Sequence, residues 1–133
     1  MKAIVHFEIQ ADDIERATKF YTEIFDWRIE RYGEMEYWGI YTGRSTDPEG
    51  ESLGINGGLL PRNAPKPDPG MSPNAYVCTI VVEDIDVMMK KVEKAGGTQQ
   101  TPKTAIAGMM WMSYYKDTEG NIFGLMQNDP DAK

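Results

Sequence analysis

Apolar residues recur along this chain with two periods, and the sequence runs through both periods twice. Ala3 to Gln10 reads as a strand, with β-prone Ile4, Val5, Phe7 and Ile9 interrupted by His6 and Glu8. Ile14, Ala17, Phe20, Tyr21 and Ile24 then fall at helical spacing, with Glu15, Arg16, Lys19 and Glu23 on the other side. That spacing predicts a helix from Ile14 to Phe25, with Asp12 or Asp13 as its N-cap. Three strands are expected next: Trp27 to Tyr32, Met35 to Thr42 and Leu53 to Leu60. Gly33-Glu34 marks a tight hairpin between the first two, and Asp47-Pro48-Glu49-Gly50 marks a turn before the third.

A shift of 71 positions carries Asp13 to Asp84, Ile14 to Ile85 and Lys19 to Lys90, so Asp12-Asp13-Ile14-Glu15 is echoed by Glu83-Asp84-Ile85-Asp86. The second copy predicts a strand at Ala75 to Val82 and a helix capped by Asp84. Ile85, Met88, Met89, Val92 and Ala95 form the buried face of that helix, and Gly96-Gly97 ends it. Short strands follow at Thr98 to Thr101, Met109 to Lys116 and Asn121 to Gln127, with Asp117 to Asn121 as the last hairpin turn. Between the copies, Pro61, Pro65, Pro67, Pro69 and Pro73 lie in a segment without apolar periodicity, which reads as a linker.

The expectation is a single α+β domain of two β-α-β-β-β modules, residues 1–60 and 74–133, joined by a linker at 61–73. Neither module can bury its sheet alone, so each needs the other or a second chain. A repeated unit of this size puts its functional seam where the copies meet.

Composition narrows the function. Hydrophobic content of 41% and charged content of 26% suit an ordinary globular chain of 133 residues. A net charge of −7 argues against nucleic acid or an anionic membrane as partner. No apolar run reaches membrane-spanning length, and no segment resembles an export signal, so a cytoplasmic location is expected. The single cysteine, Cys78, falls in a strand and is expected to be buried and inert.

IQADDIERATKFYTEIFDW early in the chain, with Arg16 and Phe20-Tyr21 in its helix, and AGG followed by DTEGNIFGLMQ late, resemble the vicinal oxygen chelate superfamily. That superfamily includes glyoxalase I, bleomycin-resistance proteins, extradiol dioxygenases, fosfomycin-resistance enzymes and methylmalonyl-CoA epimerase. The resemblance implies a cupped mixed β-sheet with a helix packed outside each module. It also implies a divalent metal held by one side chain in the first strand and one in the last strand of each module. On that pattern the ligand positions are His6, Val77, Gly58 and Gly124. Only His6 offers a donor, whereas stable sites need about three or four. No metal and no cofactor is therefore expected.

Strand alternation puts Ile4, His6 and Glu8, then Val77, Thr79 and Val81, in the cup. Asn56, Gly58 and Leu60 join them, with Ile122, Gly124 and Met126. This reads as an apolar, roomy cavity with His6, Glu8, Asn56 and Thr79 as polar handles, the two glycines leaving space for an organic ligand. Trp38 and Trp111 are expected as aromatic walls, with Tyr37, Tyr41, Tyr114 and Tyr115 near them; packing in the core or at a dimer interface is the alternative. Met109, Met110 and Met112 line a cavity or an interface.

The candidate ligand-binding set is thus His6, Glu8, Asn56, Gly58, Val77, Thr79, Gly124, Trp38 and Trp111. His6 and Glu8 are also the candidate acid and base, unless His6 is a relic held by a structural hydrogen bond. The leading expectation is metal-independent binding of a small organic molecule by a homodimer, a cationic drug being the most concrete version. A glyoxalase-like lyase or isomerase, and a metal-free acid/base enzyme, are the alternatives.

Overall fold

The computed structural model describes residues 6–43, 54–63, 65–66, 68 and 77–133. The expected strand starts at Ala3 and Ala75, the cup residue Ile4, the Asp47 to Gly50 turn and linker residues Pro67, Pro69 and Pro73 lie outside them. The chain divides into two compact units, Met1–Lys66 and Pro67–Lys133.

The first unit contains β1 (Phe7–Ala11), α1 (Ile14–Phe25), β2 (Arg28–Arg31), β3 (Trp38–Tyr41) and β4 (Gly57–Pro61). The sheet order is β1-β4-β3-β2, with β1 and β4 parallel and the other pairs antiparallel. The second unit contains β5 (Cys78–Val81), α2 (Ile85–Lys94), β6 (Thr98–Gln99), β7 (Thr104–Ile106), β8 (Met110–Lys116) and β9 (Ile122–Asn128). Its order is β5-β9-β8-β6, with β7 also on β8 and β5 parallel to β9. The described residues thus form an α+β fold of two modules, each a mixed sheet with one helix.

Both helices start in the same way. Asp13 and Asp84 are extended residues whose carboxylates accept from Arg16 N at 2.9 Å and Val87 N at 3.0 Å. Each satisfies a backbone donor that the first helical turn leaves without a helical partner. Asp12, the other capping candidate, instead pairs with the Arg62 guanidinium at 3.0 Å. The ends differ. α1 stops on Asp26 in the left-handed region, whereas Gly96, at φ 101°, turns α2 so that Gly97 N donates to Val92 O at 2.9 Å.

The core follows the apolar stripes. In the first unit Ala17, Phe20, Tyr21 and Ile24 of α1 are buried, as are Ile40 and Leu59 of the sheet. Trp27 closes that core by stacking on Tyr21, with ring centres 5.3 Å apart. In the second unit Ile85 and Val92 of α2 are buried, with Tyr115, Phe123 and Leu125 beneath them. The Tyr115 hydroxyl leaves this core to donate to Glu93 at 2.9 Å.

Three local features differ from the sequence expectation. The first hairpin is wider than Gly33-Glu34 alone, because Tyr32 N donates to Tyr37 O and Met35 N to Tyr32 O. Arg31 holds that loop through the carbonyls of Met35 and Glu34, so β3 begins at Trp38. The strand expected at Thr98 to Thr101 is one edge of the sheet in two pieces. Gln100 N and Thr101 N both donate to Tyr114 O, and Pro102 then interrupts the pairing until Thr104. Cys78 is exposed; among the described residues its strand, β5, ends the second sheet and pairs with β9. Partial desolvation pushes its pKa up, so it remains a thiol at neutral pH. No described helix is long and apolar enough to cross a membrane.

Two stability predictions follow from these contacts. Asp13→Ala and Asp84→Ala should each lower unfolding free energy by about 1 kcal/mol in urea denaturation. Asp129 accepts from Trp111 Nε1 at 2.9 Å and from Asp131 N at 2.8 Å. The Asp131 backbone bond, then the Trp111 bond, hold its pKa below the usual 3.8. Its stabilising effect is therefore present above 3.8 and is lost as pH falls through the lowered value. The Trp111 indole N–H resonance should shift in that acid range, and Asp129→Asn should remove the shift.

Candidate functional site

Strand register sorts the first sheet into two faces. Trp38 stands opposite Leu59, and Ile40 opposite Gly57. Phe7 shares this face, since it pairs with Gly57 and its ring lies 6.0 Å from Trp27. This is the face that α1 covers. The alternate residues Glu8, Gly39, Tyr41 and Gly58 point the other way, as do Arg28 and Glu30 in β2.

On that second face Tyr37 is the central group. Its hydroxyl lies 2.7 Å from His6 Nε2, and it also hydrogen-bonds Glu8. A Cβ built on Gly58 would overlap the Tyr37 hydroxyl and ring carbons. The volume over Gly58 is therefore filled by Tyr37, and the open space expected there does not exist. Burial, then the charge and hydrogen bond of Glu8, raise the Tyr37 pKa, so the phenol stays protonated at neutral pH. His6, the only histidine of the chain, and Glu8 are both exposed and joined through Tyr37.

The neighbouring tyrosines continue this surface. A Cβ on Gly39 would lie 2.6 Å from Tyr32 Cε2 and 3.2 Å from the Tyr41 ring. Gly39 and Gly58 stand directly opposite each other, forming a two-glycine floor on which three tyrosine rings lie. The Tyr32 and Tyr41 hydroxyls are 3.1 Å apart, and the Tyr32 and Tyr37 rings are 6.0 Å apart at 57°. The Arg28 guanidinium sits 3.9 Å from the Tyr41 ring centre and pairs with Glu30 at 2.6 Å. This face is aromatic and polar, not the apolar lining expected.

Asn56 lies just before β4, where its side-chain oxygen accepts from Thr42 N at 3.1 Å and ties β3 to β4. Trp38 belongs to the helix-covered face, where Arg31 approaches its ring at 5.2 Å. Of the two alternatives for Trp38, aromatic wall or packing, its register opposite Leu59 matches packing.

The second sheet sorts in the same way. Thr79 stands opposite Gly124, as Glu8 stands opposite Gly58, and Thr79 follows Glu8 by the 71-residue shift. The Thr79 hydroxyl lies 2.7 Å from where a Gly124 Cβ would be, with Tyr114 at 3.2 Å, so this glycine is covered too. Tyr114, Met112 and Met126 share that face with Val81. Val77, just ahead of β5, is half-buried and apolar. Trp111 is on the opposite face: it stands across from Gln127, whose side chain accepts from Ile85 N at the start of α2. Lys103 lies 4.5 Å over its ring and pairs with Asp86 of α2.

The metal implied by resemblance meets a poor donor set. Val77, Gly58 and Gly124 supply no ligand atoms, and His6 is engaged with a protonated tyrosine. Among the described residues no group of three or more His, Cys, Asp or Glu could hold a metal ion. The residues present do not fit the group.

Tyr37 is the functional candidate that sequence reasoning undervalued. It was grouped with other aromatics, although it lies two residues before Gly39 and so on the same face as Gly58. That signal becomes readable only once the hairpin length is known.

Comparison with known proteins places the fold. The family model described as Glyoxalase/Bleomycin resistance protein/Dioxygenase superfamily matches residues 3–125. The protein named "Putative glyoxylase CFP32" of Mycobacterium bovis is 31% identical over 122 residues, covering 90% of this chain and 43% of that protein. The chain thus spans less than half of that relative. Among solved structures, the fosfomycin resistance protein FosX from Listeria monocytogenes has a TM-score of 0.71 at 11% identity, covering 97% of this chain and 94% of that one. The hypothetical protein SA1046 from S. aureus has a TM-score of 0.67 at 20% identity, covering 96% and 97%. At such identities these structures speak for the fold alone. The family match runs through both modules, and the chain belongs to the glyoxalase/bleomycin resistance protein/dioxygenase superfamily.

Proposed function

We propose that this chain binds a small organic molecule without a metal, on the face of the first unit turned away from α1. The observation that carries the reading is the Tyr37 hydroxyl over Gly58, bonded to His6 and Glu8. By family resemblance position 58 would present a metal ligand; here a protonated phenol from β3's entry loop fills that space. What the face offers instead is ring surface, hydroxyls and carboxylates, which is the chemistry of noncovalent recognition.

Glu8, His6 and the tyrosines are the contacts in this reading. Asn56, Gly58, Val77, Thr79 and Gly124 shape the two faces away from the helices. The reading also takes the protein as a cytoplasmic homodimer. Val81 and Met109, 61% and 57% exposed, support a second copy as cover for apolar surface.

A second reading is a metal-free acid/base enzyme using His6 and Glu8. The hydrogen-bonded chain through Tyr37 favours it, because the hydroxyl couples the two groups. A glyoxalase-like lyase or isomerase would need metal ligands from elsewhere; the mycobacterial relative bears the name putative glyoxylase.

Protein purified without a metal-affinity tag should carry far less than one metal per chain by mass spectrometry. Added Ni²⁺, Zn²⁺ or Fe²⁺ should leave its thermal midpoint unchanged; stoichiometric, tightly held metal would overturn the reading. A compound screen by ligand-observed NMR, with chelator present, should yield binders that shift tyrosine resonances of the first unit. Turnover of a bound compound, abolished by His6→Ala in a folded protein, would favour the enzyme reading.

The filled position has its own test. Gly58→Ala should destabilise by about 1–3 kcal/mol, because the methyl must displace Tyr37. In a Tyr37→Ala background the same change should cost much less, and the double-mutant cycle measures the difference. Equal costs in both backgrounds would show that Tyr37 does not occupy the space.

A further inference from the structure

The tyrosine face specifies the charge of its ligand. We propose that it receives an organic cation, an ammonium or guanidinium group on a small frame, between the Tyr32 and Tyr41 rings and the Glu30 carboxylate. This deepens the binding reading above and rests on it.

A guanidinium of the protein's own already occupies part of this surface. Arg28 stands directly opposite Tyr41 across the β2–β3 pair, with its Cζ 3.9 Å from the ring centre. Glu30, two residues on and on the same face, neutralises it at 2.6 Å. A ring face carries negative quadrupole density, and a carboxylate at its edge adds to the attraction for a cation. Arg28 is the one basic side chain that β2 and β3 place on this face, since Arg31 lies on the other, over Trp38.

The surface extends beyond what Arg28 covers. Tyr32 is 49% exposed, and its hydroxyl is fixed 3.1 Å from that of Tyr41. Its ring forms a corner with Tyr37, 6.0 Å away and tilted by 57°. Gly39 makes this possible, because any side chain there would push the Tyr32 ring away from the strand. Glu8 adds a second carboxylate on the same face beside Tyr37. Rings arranged in a corner with carboxylates at their edges satisfy a diffuse positive charge. An anion would meet Glu8 and Glu30 instead.

Arg28 gives the test an unusual sign. If the ligand is a cation, Arg28 competes with it for the Tyr41 ring and for Glu30. Removing the guanidinium should then strengthen binding. For an anionic ligand the same change would weaken binding, and for a neutral one it would leave affinity nearly unchanged.

The probes are choline and its neutral isostere 3,3-dimethylbutanol, titrated into the full chain and followed by NMR with chelator present. Choline should bind and the isostere should bind at least about two- to fivefold more weakly, the range of an exposed cation–ring contact. Arg28→Met, which keeps an apolar stem, should tighten choline binding. Tyr32→Leu and Glu30→Gln should each weaken it by about two- to fivefold. These three side chains are exposed, and circular dichroism would show that the variants stay folded. Equal binding of the two probes, or weaker choline binding in Arg28→Met, would overturn the assignment. Compounds of the wider screen binding where choline does not would sink the cation proposal and leave metal-independent binding standing. If no compound binds at all, both fall.

Discussion

A side chain at position 58 and the phenol of Tyr37 cannot share one volume, and the first unit is organised around that exclusion. Gly58 yields the space, the Tyr37 ring lies against the strand, and its hydroxyl reaches both His6 and Glu8. Two exposed groups, Glu8 in β1 and His6 just ahead of it, are thereby tied to the hairpin on the far side of β4. The constraint is steric before it is electrostatic. A protonated phenol can accept from one neighbour and donate to another, so it satisfies an imidazole and a carboxylate together. No aliphatic residue at 37 could do this, and no larger residue at 58 would permit it.

The same backbone register in the second unit carries different chemistry. Thr79 takes the place of Glu8, and Gly124 the place of Gly58, but Tyr114 of β8 occupies the register position that Gly39 holds in β3. A glycine there admits neighbouring rings; a tyrosine there is itself the covering ring. The result is one face of several phenols and charges and another of a single tyrosine with threonine, methionine and valine. The two units thus share an architecture and differ in what each open face can hold.

Much of the fold was legible because it depends on local patterns. The helix limits at Ile14 and Phe25, the Asp84 cap and the Gly96 turn follow from side-chain spacing and from glycine's access to positive φ, whereas spacing left Asp12 and Asp13 both open as the first cap. The chain's faces were less legible, since a period of two is lost whenever a turn adds a residue. Arg31 binds the carbonyls of Glu34 and Met35 and so lengthens the first hairpin. Trp38, offered either as a cavity wall or as packing, stands across from Leu59 on the helix-covered face. Trp111, offered with the same two alternatives, stands across from Gln127, and its partner Asp129 lies beyond the last strand. The glycines taught the opposite lesson. Their missing side chains were read as empty space, but a missing side chain shows only that something else comes close.

On the metal-free reading, affinity must come from many weak contacts in place of a few strong ones. A metal ion fixes a ligand through short bonds in a set geometry. Ring faces contribute about 0.5–1 kcal/mol each to an exposed cation and constrain direction only loosely. Such a surface selects by class, through charge and flatness, more than by atomic position. That places weight on what already sits there. Arg28 covers the Tyr41 ring and neutralises Glu30 when nothing else is bound, so that pair is not a bare carboxylate beside an uncovered ring. A ligand of like charge gains only the difference between its own contacts and those Arg28 gives up. Weak intrinsic affinity and a reversible exchange of one cation for another are the physical consequence.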